Sequence, residues 1–489
     1  MMELVKKHIH MNRRSGNVAS QMTLDDDFNV PDTMEDVEQL ILERGEIQIE
    51  SAKNQGEKVE VRGRLDFRVL YRTPGGQVMT LAGNLPFEER VNMPGLLEND
   101  HIQAGWELDD LKLGIINSRK LNVKALVTLK IQAETLFDAE AAEDARFDGD
   151  VETLKKTIAV AALSARRKDT FRVREVLSLS GNKPDIDTLL WQDIRLRGVN
   201  TRPLDGRIRL DGELMVFAIY SGEAGQVPVQ CLEETVPFSG EVELEPSVEE
   251  MIPFITVRLV HKELEILNDL YALDRELDMD TGEACFDQIA ARNQLKTRLQ
   301  EKVDLPVGQR ILQICHSDGD VKLDEVQIRD GELSMDGVLE VQLLYLTADD
   351  SSPVGASTEV LPFHMTAQVP GITEDSVYQM EPGLEQISAV MLGGDSVEIK
   401  ASVTMDVLVL NQVCGQVILN VREEPLDTER LKQIPGIVGY VVQPGDSLWK
   451  IARKFHTSVD AVMADNGLTD PSIQPGDKLI IVKAVGERA

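Results

Sequence analysis

Three stretches of this chain can be laid over one another almost residue for residue. VEVRGRLDFRVLY ends at Tyr71, IRLDGELMVFAIY ends at Tyr220, and LSMDGVLEVQLLY ends at Tyr345. Each carries a glycine eight residues before its tyrosine, at Gly63, Gly212 and Gly337. Each then reaches a Pro-Phe pair (Pro86-Phe87, Pro237-Phe238 and Pro362-Phe363) and a further proline at Pro94, Pro246 and Pro370. A register kept through three copies marks a unit of roughly 130 residues repeated in tandem. The chain must therefore fold as three like bodies, and 489 residues leave room for a fourth.

Inside each copy the period is two. Val61, Leu65, Phe67, Val69 and Tyr71 alternate with Glu60, Arg62, Arg64, Asp66 and Arg68, which describes a strand with one face on a core and the other in water. Ile208, Leu210, Leu214, Val216 and Tyr220 repeat the pattern, as do Leu333, Met335, Leu339, Val341, Leu343 and Tyr345. A glycine on the inward face marks a bulge or a close backbone approach. The tyrosine reads as a core residue whose hydroxyl finds a partner near the strand end. LNVKALVTLKI and VEIKASVTMDVLV alternate in the same way, while the second copy is less regular here, around LYALDRELDM. The fold class expected is mainly β: three antiparallel β-rich repeats, each a sandwich or a curled sheet, and a small C-terminal βααβ unit.

Local signals add detail. LVKKHIHMNRRSGNVASQMTLDDDF and LKKTIAVAALSARRKDTFRVREVLSL each read as a strand, a basic turn and a second strand. DTMEDVEQLILE and PDIDTLLWQ have a polar start and helical apolar spacing, which predicts two short helices. LGGDS reads as a hairpin turn. The acidic DAEAAEDARFDGDVE, residues 138–152, reads as a solvated linker. The domains expected are 1–135, 151–282 and 283–412, a linker over 413–438, and a last unit over 439–484.

Composition excludes several partners. Lys and Arg number 51 against 84 Asp and Glu, a formal charge of -33. Such a field repels phosphate backbones, so no nucleic acid is expected. No apolar run reaches the length of a transmembrane segment. The N-terminus has no apolar signal region, which leads to the expectation of a protein that stays in the cytosol. Cys231, Cys285, Cys315 and Cys414 are far apart with no CxxC, and read as free buried thiols. Seven histidines form no metal-ligand motif, and no phosphate loop, dinucleotide fingerprint or GxSxG elbow occurs. The expectation is a chain with no cofactor, no metal and no catalytic residue.

The C-terminal YVVQPGDSLWKIARKF, followed by TSVDAVMADNGL, TDPSIQPGDKL and IIV, resembles a LysM domain over its whole length. Asp446 or Ser447 is placed to cap the first helix and Ser458 to start the second. Leu448, Ile451, Ala452 and Phe455 recur at helical spacing and face a small core, as do Val459, Val462 and Met463. Gly445, Gly467 and Gly476 allow tight turns. Trp449 reads as half-buried packing rather than a sugar platform. The resemblance implies affinity for N-acetylglucosamine-containing glycan in a shallow groove between two loops. One loop contributes Gly445, Asp446, Ser447 and Leu448; the other contributes Asn466, Gly467, Leu468 and Ile473. Leu448, Leu468 and Ile473 are the expected apolar anchors.

Three such β repeats followed by a LysM unit resemble the SPOCS-domain spore-coat morphogenetic proteins of the SipL type from spore-forming Clostridia. That resemblance implies a non-enzymatic scaffold in the mother-cell cytoplasm at the forespore surface. Its implied partner is the coat-basement ATPase SpoIVA, with the LysM unit taking part in the contact. The alternative is a peptidoglycan or N-acetylglucosamine binder at the cell wall or spore cortex.

Overall fold

The computed structural model describes residues 3–149, 151–163, 171–179, 183–222, 229–243, 252–253, 258–305, 311–329, 331–349, 352–373, 376–393 and 396–484. The first repeat runs β1 (Glu3–Asn29), β2 (Gln39–Asn54), β3 (Lys58–Arg72), β4 (Val78–Asn92), β5 (His101–Asn117) and β6 (Lys120–Arg146). The second runs β7 (Val151–Leu163), β8 (Ile186–Leu204), β9 (Arg207–Gly222), β10 (Gln230–Glu243), β11 (Ile252–Pro253) and β12 (Arg258–Ala272). The third runs β13 (Glu276–Asp304), β14 (Ile311–Arg329), β15 (Glu332–Thr347), β16 (Val354–Gln368), β17 (Val377–Gly393) and β18 (Ser396–Glu424). A short α1 (Thr428–Gln433) leads to β19 (Ile437–Val441), α2 (Leu448–Phe455), α3 (Val459–Asn466) and β20 (Lys478–Val482).

Repeats one and three are antiparallel sandwiches, each a meander (β2-β3-β4 or β14-β15-β16) packed on a sheet of order β1-β6-β5 or β13-β18-β17. The alternating strands form the two walls of each core. In the first, Val61, Leu65, Phe67, Val69 and Tyr71 meet Leu121, Val123, Val127, Leu129 and Ile131, and none is more than 2% exposed. In the third, Leu333, Met335, Leu339 and Leu343 meet Val397, Ile399, Val403 and Met405. The second repeat has the meander β8-β9-β10 but reaches its return strand sooner. Its β12 is 15 residues long, against 27 for β6 and 29 for β18.

The shared glycine and the shared Pro-Phe pair are cross-strand partners. Gly63 lies opposite Phe87, Gly212 opposite Phe238 and Gly337 opposite Phe363. The ring fills the place of the missing side chain: a Cβ would sit 2.7 Å from Phe87, 2.8 Å from Phe238 and 2.8 Å from Phe363. The preceding strand bulges against the same glycine in each copy, at Ile49/Ser51, Arg197/Asn200 and Leu323/Glu325. The three tyrosines occupy matching places and are 0%, 0% and 6% exposed. The Tyr71 hydroxyl donates to the Glu35 carbonyl at 3.1 Å, whereas the buried Tyr220 hydroxyl has no partner among the described residues.

Several local expectations are overturned. DTMEDVEQLILE and PDIDTLLWQ form no helix: their apolar ends open β2 and β8. Both strands carry an extra residue, Ile41 and Leu190, between ladder pairs Leu40–Tyr71 and Leu42–Leu70, and Leu189–Tyr220 and Trp191–Ile219. The bulge puts consecutive apolar residues on two buried surfaces, which breaks the period of two and imitates helical spacing. The basic turn at Arg13-Arg14 is no turn either; β1 passes through it as one strand, with a bulge between Arg14 and Gly16. The acidic stretch 138–152 is mostly strand, not linker, because Ala139, Ala141, Ala142 and Ala145 are buried while the acids point outward. β18 likewise runs to Glu424, so the linker expected over 413–438 starts a dozen residues too early. Cys285 and Cys414 are not free thiols but form a disulfide, being directly opposed in the β13–β18 ladder with Cα atoms 4.0 Å apart.

The extended strands unite the repeats. The ribbons β1/β6, β7/β12 and β13/β18 pack together, each touching the other two. Ile9, Met11, Ala141, Val160, Leu264, Ile266, Phe286 and Val417 form one layer of their common core. At the other end the outward faces of the three meanders share a second core, made by Leu42, Leu70, Trp191, Phe217, Ile219, Cys315 and Leu344.

The glycine–phenylalanine pairs make an ordered prediction. Gly63→Ala would press its Cβ to 2.5 Å from the Gln48 carbonyl oxygen, and Gly337→Ala would strike the Lys322 carbonyl oxygen. At Gly212 the nearest backbone atom is 3.4 Å away, and the obstacle is a ring that can shift. The first two variants should each cost about 1–3 kcal/mol. Calorimetry should show a larger drop in melting temperature for them than for Gly212→Ala.

Candidate functional site

The C-terminal unit sets two capped helices on a two-stranded sheet. Ser447 is the residue that caps α2, its hydroxyl accepting from Lys450 N at 3.3 Å; Ser458 caps α3 by accepting from Ala461 N at 3.1 Å. Asp446 has a different task. Its carboxylate accepts from the Gln443 amide and from the Tyr440 hydroxyl, both at 2.8 Å, and these bonds hold it below the usual carboxylate range. Gly445, Gly467 and Gly476 have φ of 87°, 65° and 100°, the left-handed turns that favour glycine. Gly467 ends α3, and the Leu468 amide returns to the Met463 carbonyl at 2.9 Å.

The expected site residues divide into structural and exposed groups. Leu448 is 2% exposed and belongs to the core with Ile451, Ala452, Val462, Leu479 and Ile481, so it is no surface anchor. Asn466 is an internal clamp: its amide donates to the Val462 and Ile480 carbonyls, and its oxygen accepts from the Ile480 amide at 2.7 Å. This ties α3 to β20. Leu468 and Ile473 are half-buried against the same core, and Gly445 and Gly467 are exposed. Of the three apolar anchors, two remain accessible.

Trp449 packs as expected, but on another domain. Its indole N–H donates to Asp269 at 2.8 Å, and its ring meets Tyr271 edge-on with centroids 4.9 Å apart. Arg453 reaches both oxygens of Asp269, at 2.7 and 2.8 Å. The Tyr271 hydroxyl donates to the Thr457 carbonyl at 2.8 Å, and the His456 ring meets the Leu273 carbonyl at 2.8 Å through Nε2. Burial raises the Tyr271 pKa and lowers that of His456, so both stay neutral in the contact. The unit is thus docked by one face of α2 on the end of the second repeat. Sequence reasoning did not find Asp269, Tyr271 or Leu273. Their signal was the irregular stretch LYALDRELDM, which holds two of them.

A second polar cluster lies where the meanders meet. Arg44 holds Asp193 at 2.7 Å, while Arg195 and Arg197 hold Asp318 at 2.7 and 3.3 Å. Asp193, His316 and Asp318 bring one ligand-capable atom each within 4.8 Å, yet three guanidinium groups already take both carboxylates. The arrangement is an ion network joining all three repeats. Beside it opens a cleft of about 580 Å³, lined largely by carboxylates and by Trp106. Among the described residues, no helix is long and apolar enough to cross a membrane.

Residues 36–116, 185–267 and 310–392 match the family described as SipL, SPOCS domain, and residues 440–482 match the LysM domain. The three SPOCS matches together span half of the chain, and the chain belongs to this family. No curated protein and no solved structure matches it. Each SPOCS match opens at or just before the first meander strand, so β1, β7 and β13, which supply the ribbons, lie outside the matches. The family and the LysM unit mark a sporulation-related protein that carries a module of a glycan-binding class.

The dock predicts its own failure. Asp269→Ala removes the acceptor for Trp449 and the partner of Arg453, at a cost of about 1.5–3 kcal/mol for charged hydrogen bonds. Limited proteolysis of the full chain should then cut faster between residues 425 and 436 and release the LysM unit as a folded fragment. An unchanged cleavage rate would show that Asp269 does not hold the dock.

Proposed function

We propose that this protein is a non-enzymatic spore-coat assembly scaffold, acting in the mother-cell cytoplasm at the forespore surface. It binds a SpoIVA-like coat-basement ATPase through the free edge of its LysM unit. One observation carries this reading: α2 gives its Trp449 face to the dock, and Gly445, Gly467, Leu468 and Ile473 stay accessible on a unit fixed to the repeats. A module held in one direction on a large frame suits an assembly contact. The two cores shared by the repeats supply the frame, because loops on a rigid body make ready binding surfaces. The charge of -33 suits a basic partner surface.

Affinity capture from sporulating cells, with mass spectrometry of what is retained, tests the partner. Leu468→Asp tests the edge. A charge placed in a central contact should cost about 2 kcal/mol or more, roughly a thirtyfold loss of affinity. If the variant keeps the wild-type melting temperature and binds the coat-basement ATPase unchanged, the edge is not the interface. Retention of the wild-type chain on insoluble peptidoglycan, with no capture of the ATPase, would favour the alternative: an N-acetylglucosamine binder at the cell wall or cortex.

A further inference from the structure

Two cysteines from different repeats meet in the core shared by the meanders. Cys231 stands on β10 opposite Ile219 and is half-exposed. Cys315 is the extra residue of a bulge in β14, between the pairs Ile314–Tyr345 and His316–Leu344, and is 8% exposed. That bulge is the third of a set: Ile41 and Leu190 hold the same place in β2 and β8, and all three side chains enter the same apolar cluster. Cys231 packs against the apolar cluster that contains Cys315, and on the same two strands Glu233 lies 3.5 Å from the His316 ring.

The surroundings treat the two sulfurs unequally. Lys183 donates to the Cys231 carbonyl at 2.6 Å, which sets an ammonium group beside the more exposed thiol. The hydrogen bond from Cys315 brings the Cys231 thiol down to about 7, with the charge of Lys183 acting in the same direction. Cys315 is pushed up by the same hydrogen bond and by burial. The more exposed thiol is therefore the more acidic of the two. Packing alone needs no such difference, since a buried thiol otherwise behaves as a small apolar group.

We propose that Cys231 and Cys315 form a peroxide-responsive site that closes to a disulfide between the second and third repeats. The Cys231 thiolate attacks one oxygen of hydrogen peroxide and the O–O bond breaks. Hydroxide leaves, takes up a proton as water, and leaves Cys231 as a sulfenic acid. The Cys315 sulfur then attacks the Cys231 sulfur, the S–O bond breaks, and the hydroxyl departs with the Cys315 proton as a second water. The two thiols lose two electrons and two protons, and peroxide is reduced to two waters. The product fastens two repeats at their common core. The Cys285–Cys414 bond cannot do so, because it lies within the β13/β18 ribbon of the third repeat.

The test uses the full chain, reduced and then treated with one equivalent of hydrogen peroxide. Alkylation, digestion and mass spectrometry locate every linkage, so Cys285–Cys414 is scored separately. The expected product is a Cys231–Cys315 peptide pair, two hydrogens lighter than the reduced peptides. In Cys315→Ala the sulfenic acid on Cys231 should persist and be trapped by dimedone. Native Cys231 should also react with iodoacetamide at pH 7 about tenfold faster than in the urea-unfolded chain, as a lowered thiol pKa requires. The proposal is overturned if Cys231 stays reduced, or if it is oxidised to sulfinate with Cys315 untouched. It is also overturned if the linked pair forms as fast in the unfolded chain.

Discussion

The outward faces of the meanders are too apolar, near their tyrosine ends, to face water. Leu70, Ile219 and Leu344 each precede the repeat's tyrosine and point away from its own sandwich core. No single repeat can cover such a residue. Three repeats brought together cover all of them, with Leu42, Trp191 and Val78 filling the space between. This closing of three meanders on one core sets the place of everything else. It brings Arg44, Asp193 and Asp318 of the first strands β2, β8 and β14 together and leaves the long ribbons to their own common core. It also leaves the ribbon ends as the platform for the LysM unit.

Triplication creates a difficulty that the sequence resolves by divergence. Positions equivalent in the three copies come together around one centre, so identical charges there would repel. Arg44, Asp193 and Asp318 are such positions, opposite Arg68, Phe217 and Gln342, each three residues before the tyrosine. One copy carries the cation and two carry anions, and Arg195 and Arg197 complete the balance. The neighbouring equivalents are Leu42, Trp191 and His316, opposite Leu70, Ile219 and Leu344. There the His316 ring stacks on Phe217, with centroids 4.0 Å apart. Asp318 has a side chain only 4% exposed. Removing its arginines would leave a buried charge without a partner, which is far more costly than the pair is stabilising.

What could be read from the sequence follows the range of the forces involved. The sandwich cores were legible because alternation is a local consequence of the pleat, and every inward residue named on β3, β15, β6 and β18 is buried. The glycine was legible as a close approach, and the structure adds that its neighbour is the phenylalanine of the Pro-Phe pair. Bulges were not legible, since one inserted residue turns a strand's pattern into something like a helix's. The acidic run at 138–152 misled for another reason. Alanine is small and weakly apolar, so a strand that buries only alanines shows little hydrophobic signal. Partners across the fold could not be read at all. The contacts Cys285–Cys414, Cys231–Cys315 and Trp449–Asp269 depend on how distant strands register and how separate bodies meet.

At the LysM unit the sequence gave up most of the local chemistry, and the docked geometry decides how it is used. On α2, Leu448, Ile451, Ala452 and Phe455 share the side that closes the core. Trp449, Arg453 and His456 follow at four and three residues and share another side. That second side is filled by Asp269, Tyr271 and Leu273, whose contacts include a charged pair, a buried hydroxyl and a neutral imidazole. Tyr271 already packs on the Trp449 ring, with centroids 4.9 Å apart. The ends of the helices stay accessible: Gly445 and Gly467 are exposed, and Leu468 and Ile473 are half-buried. Because α2 is fixed on the second repeat, that edge has one orientation relative to the triple body. Whatever met this edge would meet the triple body in a single pose.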